Sequence, residues 1–142
     1  KPEKGDKGDT GAQGNANVQN YSLTINSWDW TYDSYYKRWY HRYYTTIPFQ
    51  SAILTYVISA SGEQAIPYYE HDPMPVQYDV ATYLFGSLLF IEFQYSNFNS
   101  ATIAPTSDVY FYIVAIPPHM MAQNPNVNWK NYKEVKSVLN LK

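Results

Sequence analysis

Apolar and polar residues alternate along most of the chain from Asn17 onward, and this period of two constrains the fold more than any other feature. In the run 38–47, one side carries Trp39, His41, Tyr43, Thr45 and Ile47, and the other side carries Arg38, Tyr40, Arg42 and Tyr44. Successive side chains of a β-strand lie on opposite faces of a sheet, so the alternation predicts strands with one buried face. The segment Ala52–Ser59 is almost continuously apolar or β-branched, which predicts a strand buried on both faces.

Turn-forming residues divide these runs into about eight short strands. The predicted strands cover 21–25 and a continuation through Trp28, Trp30 and Tyr32, followed by 38–47, 52–59, 65–69, 76–85, 88–95 and 109–116. We predict turns at Gly62-Glu63 and at Gly86. Pro67 lies within 65–69 and assigns that strand to a sheet edge, because proline cannot donate to the ladder.

The chain ends in a segment with a different period. Tyr132, Val135, Val138 and Leu139 recur at helical spacing, which predicts an amphipathic helix over about 129–139 with Asn128 as its N-cap. Strands and helices do not alternate, so a parallel sheet is not expected. The predicted fold class is therefore all-β, an antiparallel β-sandwich of about eight strands with one C-terminal amphipathic helix.

Glycine recurs with a strict period of three at the start of the chain, at Gly5, Gly8, Gly11 and Gly14. Such a period is typical of a collagen triple helix, in which the crowded axis accepts no side chain larger than hydrogen. We predict a collagen-like tether over 1–16 and a β-sandwich domain over 17–142. A triple helix needs three chains, so the repeat motivates the hypothesis of a homotrimer.

Composition restricts the possible partners. The net charge is −2, and the nearest basic group is Lys37, Arg38 and Arg42, which is too small to indicate nucleic-acid binding. The chain has no cysteine, so disulfides and thiol chemistry are excluded within it. Aromatic residues make up 18%, and 16 of them are Tyr, which favours β structure and also suits a binding surface.

The chain resembles surface lipoproteins of Gram-negative bacteria that carry a short collagen-like segment before a small β-sandwich domain. The matching segments are GDKGDTGAQGNANV, NSWDW, SAILTYVIS with a later IPYY, and VYFYIVAIP followed by NPNVNWKNYKEVKSVL. The resemblance implies export, display on the outer surface of the cell envelope or secretion, and a lipid anchor on a cysteine upstream of Lys1. It implies no activity and therefore transfers no catalytic or binding residue.

The sequence offers no recognisable catalytic or metal-binding motif, so we expect no enzyme, no cofactor and no metal. His41, His71 and His119 lack the spacing of a zinc site. A cation at Glu70-His71-Asp72 is disfavoured, since neighbouring strand residues lie on opposite faces. Glu92 interrupts an apolar strand, and we expect it near the solvent end of the face that it shares with Phe90 and Gln94.

Two functions remain open. The first is a structural or adhesive display domain on a collagen-like stalk. The alternative is a carbohydrate- or protein-binding module, with an unknown surface glycan or protein as its partner. The candidate ligand or interface aromatics are Trp28, Trp30, Trp39, Tyr40 and Tyr44. Trp28 and Trp30 fit the inward face of a strand as well as a binding surface, whereas Tyr40 and Tyr44 are predicted to face outward beside Arg38 and Arg42.

Overall fold

The structure is a computed structural model that describes residues 18–47, 51–71, 74–86 and 88–141. The predicted tether 1–16 and its glycines lie outside the described residues, and so does Asp72 of the Glu70-His71-Asp72 segment.

Nine antiparallel strands and two short helices make up the described part of the chain. The strands are β1 (Gln19–Ile25), β2 (Thr31–Asp33), β3 (Arg38–Thr45), β4 (Ala52–Ser59), β5 (Gly62–Ala65), β6 (Tyr68–Glu70), β7 (Val76–Phe85), β8 (Leu88–Asn97) and β9 (Val109–Ile116). The helices are α1 (Pro118–Gln123) and α2 (Tyr132–Leu139). One sheet has the order β1-β9-β4-β5 and the other has the order β2-β3-β8-β7-β6. The prediction of an antiparallel β-sandwich with a C-terminal helix is confirmed.

The main core lies between the two sheets. Phe93 of β8 and Phe111 of β9 are almost fully buried, and their ring centroids are 4.4 Å apart. Ile91 and Tyr95 continue the inner face of the five-stranded sheet, and Ile113 continues that of the four-stranded sheet. The strands with a period of two therefore bury the face that the sequence pattern predicts.

A second core lies on the outer face of the four-stranded sheet, which we call the helical face. Met120 of α1 and Tyr132, Val135 and Leu139 of α2 pack there against Tyr56, Val114 and Ile116. None of the residues in this second cluster belongs to the five-stranded sheet. The helices therefore cover one side of the sandwich.

Helix α2 is shorter than predicted because a different asparagine caps it. The side chain of Asn131 accepts a hydrogen bond from the backbone N–H of Glu134, at 3.2 Å. Asn128 instead forms a turn, in which its side chain accepts from the N–H of Lys130. Trp129 and Lys130 thus lie in that turn rather than in the helix. Val138, which was predicted to face the core, is 41% exposed.

Three other predictions about strands are wrong. A single 3-10 turn (Ser27–Asp29) follows β1, so the alternation does not continue through Trp28 and Trp30. The turn predicted at Gly62-Glu63 lies two residues earlier, at Ala60 and Ser61, and Gly62 begins β5 with a φ of 104°. The predicted strand 65–69 is divided between the two sheets, with a cis Ile66–Pro67 bond between β5 and β6.

We expect Leu139→Ala to lower the free energy of unfolding by about 2–5 kcal/mol, because it removes a fully buried side chain between α2 and the sheet. Val138→Ala, one residue earlier and exposed, is the control and should change it by less than about 0.5 kcal/mol. Urea denaturation measures both. Equal effects of the two substitutions would contradict the packing of α2 on the helical face.

Burial raises the pKa of Tyr56, Tyr78, Tyr95 and Tyr132 above the usual value, with smaller contributions from neighbouring groups. A phenol whose pKa is higher in the folded state contributes stability below its unfolded pKa of about 10 and loses that contribution as the pH rises further. We therefore expect the free energy of unfolding to fall steeply above about pH 10. In an alkaline titration, part of the tyrosinate absorbance should appear together with the loss of near-UV circular dichroism. Full ionisation of the tyrosines while the dichroism remains native would refute this.

Candidate functional site: the open face of the five-stranded sheet

The outer face of the five-stranded sheet carries aligned rows of aromatic and polar side chains. Strand register places Tyr44, Phe90 and Tyr83 in one row across β3, β8 and β7. The next rows are Arg42, Glu92 and Ala81, then Tyr40, Gln94 and Asp79. The fourth row consists of the pair Ser96 and Gln77, with Arg38 on the same side of β3 at the start of that strand. We call this surface of four rows the open face. Rows on the same face are about 7 Å apart, which is twice the rise per residue of a strand.

An ion pair lies at the centre of the open face. Nε of Arg42 donates to Oε1 of Glu92 at 3.1 Å, and Nε2 of Gln94 donates to Oε2 at 2.8 Å. Glu92 and Gln94 are 7% and 6% exposed, although they lie on the outer face of the sheet. A buried carboxylate needs a compensating charge and hydrogen bonds, and these two donors supply them.

Aromatic rings on both sides hold the Arg42 guanidinium in place. Its central carbon lies 4.9 Å from the ring centroid of Tyr40 and 5.5 Å from that of Phe90. The hydrogen bond with Glu92 raises the pKa of Arg42, and this outweighs the opposite effect of burial. The side chain of Arg42 remains 45% exposed. Its position is therefore fixed on one side by Glu92 while the other side is open to solvent.

The row beside the ion pair is an aromatic strip formed by Tyr44, Phe90 and Tyr83. Phe90 is stacked on Tyr83 with ring centroids 5.2 Å apart, and it contacts Tyr44 at 5.3 Å. Tyr44 is 56% exposed and Tyr83 is 43% exposed. Three strands thus contribute one continuous aromatic surface that is accessible to a ligand.

The far corner of the open face contains a second arginine. Arg38 lies over the ring of Tyr36 at 4.6 Å. The carboxylate of Asp33 accepts hydrogen bonds from the backbone N–H groups of Tyr35 and Tyr36, which fixes the turn between β2 and β3. These contacts hold exposed aromatic rings at the edge of the face.

The five predicted aromatics do not form one group. Tyr40 and Tyr44 lie on the open face, as predicted. Trp30 is 5% exposed and packs on Tyr95 in the main core. Trp39 lies on the inner side of the same sheet, where its Nε1 donates to the carbonyl of Ala101. Trp28 is 76% exposed in the 3-10 turn, outside the rows of the open face.

The prediction that Glu92 lies near the solvent end of its face is wrong, because it pairs across strands with Arg42 in the middle of β8. The sequence contained the signal for this pair, namely a charge in an apolar strand and an arginine on an outward-facing position. Their separation of 50 residues hid the contact. Tyr83 and Phe90 were missed because their hairpin reads as part of the core.

No three His, Cys, Asp or Glu side chains gather to hold a metal ion within the part of the chain that the structure describes. His41 hydrogen-bonds the carbonyl of Asp29 through Nδ1 at 3.0 Å. None of the described helices has the length and hydrophobicity to cross a membrane. A cavity of about 170 Å³ opens beside Glu70, Tyr78 and Tyr95. Its volume is smaller than that of a usual small-molecule site, which is about 300 Å³ or more. A second cavity, beside Glu63 and Asn131, has about 330 Å³ and reaches this range.

Comparisons of the chain with models of protein families, with curated proteins and with solved structures gave no match.

We expect Arg42→Met to lower the free energy of unfolding by about 1–3 kcal/mol, because it leaves the buried Glu92 carboxylate without its charged donor. The double variant Arg42→Met with Glu92→Met should regain most of this loss, since removing both charges also removes the desolvation cost. Urea denaturation of Arg42→Met, Glu92→Met and the double variant measures the coupling. If the loss of unfolding free energy in the double variant equalled the sum of the two single losses, the two charges would not compensate each other.

Proposed function

We propose that this chain is a non-enzymatic adhesive domain, displayed at the cell surface on a collagen-like stalk, and that it binds its target through the open face. The observation that supports this most strongly is the asymmetry of the sandwich. Two helices cover the helical face, whereas the other sheet presents exposed Tyr44, Tyr83 and Arg42 around a fixed polar centre. A surface with ordered aromatic and arginine side chains has the composition of a binding site.

The buried ion pair supports a binding role rather than a catalytic one. Both carboxylate oxygens of Glu92 already accept hydrogen bonds, one from Arg42 and one from Gln94. A general acid or base needs to reach the proton that it transfers, and Glu92 is 7% exposed. We therefore assign Glu92 the role of holding Arg42 in position.

The stalk and the cellular location rest on the sequence. The glycine repeat at Gly5, Gly8, Gly11 and Gly14 and the resemblance to surface lipoproteins support display on the outer surface, through a lipid anchor upstream of Lys1. Three stalks wound together would present three open faces. Such a homotrimer would raise the avidity for a repetitive target surface without any new contact.

Fluorescent beads that carry the full chain test adhesion to two probes, which are epithelial cell monolayers and intact Gram-negative bacteria. We expect the beads to be retained on at least one surface. Retention should fall about tenfold with Tyr44→Ala and Tyr83→Ala together, the size expected when anchoring aromatic residues are truncated.

The matched control is Tyr110→Ala, which removes a tyrosine of similar exposure (48%) from the outer side of β9. This variant should adhere like the unchanged chain. An equal loss with Tyr110→Ala, or retention no better than that of uncoated beads, would contradict the proposal. Light scattering of the full chain measures whether it is a trimer.

A further inference from the structure

We infer that the open face binds an uncharged oligosaccharide, with sugar rings against the aromatic strip and sugar hydroxyls on the Arg42 guanidinium. This inference rests on the proposed function and names the ligand class of the same surface. Ligand sites combine apolar and aromatic contact area with a few fixed polar groups, and the open face places both side by side.

The aromatic strip provides the apolar contact. The ring of Phe90 contacts Tyr44 on one side and Tyr83 on the other, so the strip is about 10 Å wide, or two interstrand spacings. One side of a pyranose ring consists largely of C–H groups, which pack on aromatic rings. The phenol hydroxyls of the two tyrosines add hydrogen-bonding groups at the same surface.

The adjoining row provides the polar contacts. Arginine has five N–H donors, and the ion pair with Glu92 uses the one on Nε. The terminal amino groups therefore carry four further donors on a side chain that is 45% exposed. Sugar hydroxyls can accept from these donors, and they can donate to the half-buried carboxylate of Asp79 in the next row.

The charges of the open face favour an uncharged ligand over an acidic one. The positive charge of Arg42 is balanced by Glu92 at 3.1 Å. In the neighbouring row Asp79 adds a negative charge, and its carboxylate accepts from Gln77 Nε2. Arg38 at the far corner adds a positive charge, so the charges of the open face cancel. An acidic glycan would need an excess of positive charge at this centre, and the pair does not provide it.

The buried polar centre also favours a sugar over a protein. Protein–protein interfaces are enriched in arginine and aromatic residues, but they are depleted in glutamate and aspartate. Here an ion pair and a buried amide occupy the middle of the surface, and the aromatic strip lies to one side. Hydrogen bonds and ring contacts hold Arg42 before a ligand arrives, so binding costs little side-chain entropy.

An array of neutral and acidic oligosaccharides, probed with the full chain, tests the inference. We expect binding to neutral members, and we expect it to persist in about 1 M NaCl, where the Debye length is about 3 Å. Calorimetry on the neutral members bound should show an affinity loss of about tenfold or more for Tyr44→Ala and for Arg42→Lys.

Two conservative variants separate loss of contact from loss of folding. Tyr44→Phe keeps the ring and should bind within about threefold of the unchanged chain, a change of less than one ordinary hydrogen bond. Glu92→Gln keeps a hydrogen-bonding group but removes the charge that positions Arg42. It should lower affinity while circular dichroism shows a folded domain.

Three results would overturn the inference. The first is binding to acidic members alone, lost in high salt, and the second is equal affinity of Tyr44→Ala and the unchanged chain. The third is that no member of the array binds while the beads still adhere through Tyr44 and Tyr83. This result would indicate a protein target and leave the proposed function intact. If the beads also fail to adhere, both the inference and the proposed function are wrong.

Discussion

The contact between Phe93 and Phe111 determines which residues of β8 face the core and which face outward. These rings join the two sheets at 4.4 Å and are 0% and 1% exposed. Because side chains alternate along β8, an inward Phe93 requires Glu92 and Gln94 to face outward. A register shift of one residue would bury Glu92 between the sheets and expose Phe93, so the hydrophobic core excludes it.

The open face follows from that orientation. Glu92 faces outward from a central strand, with β3 and β7 on its two sides, so neighbouring side chains surround it and leave it 7% exposed. Arg42 balances its charge, Gln94 donates a hydrogen bond to it, and Tyr40 and Phe90 contact the Arg42 guanidinium. A surface that would otherwise be an ordinary polar sheet face therefore has a rigid centre, while α1 and α2 cover the opposite side.

Local pattern predicted most of the fold and part of the candidate site. The period of two placed Tyr40, Arg42 and Tyr44 on one side of β3, and the register with β8 confirms it. Prediction failed where the backbone departs from the period of two, as in the 3-10 turn that contains Trp28 and precedes Trp30. It also failed for the partner of Glu92, because pairing between distant strands depends on tertiary register, which no local window contains.

The most direct test of the central claim is an NMR titration of the full chain with a neutral oligosaccharide. The side-chain Nε–H of Arg42 and the amide group of Gln94 report on the polar centre, and the backbone amides of β3, β7 and β8 report on the strip. The account predicts that these signals shift together while those of α2 and β4 stay in place. Shifts confined to the helical face, with the Arg42 signal unchanged, would contradict it.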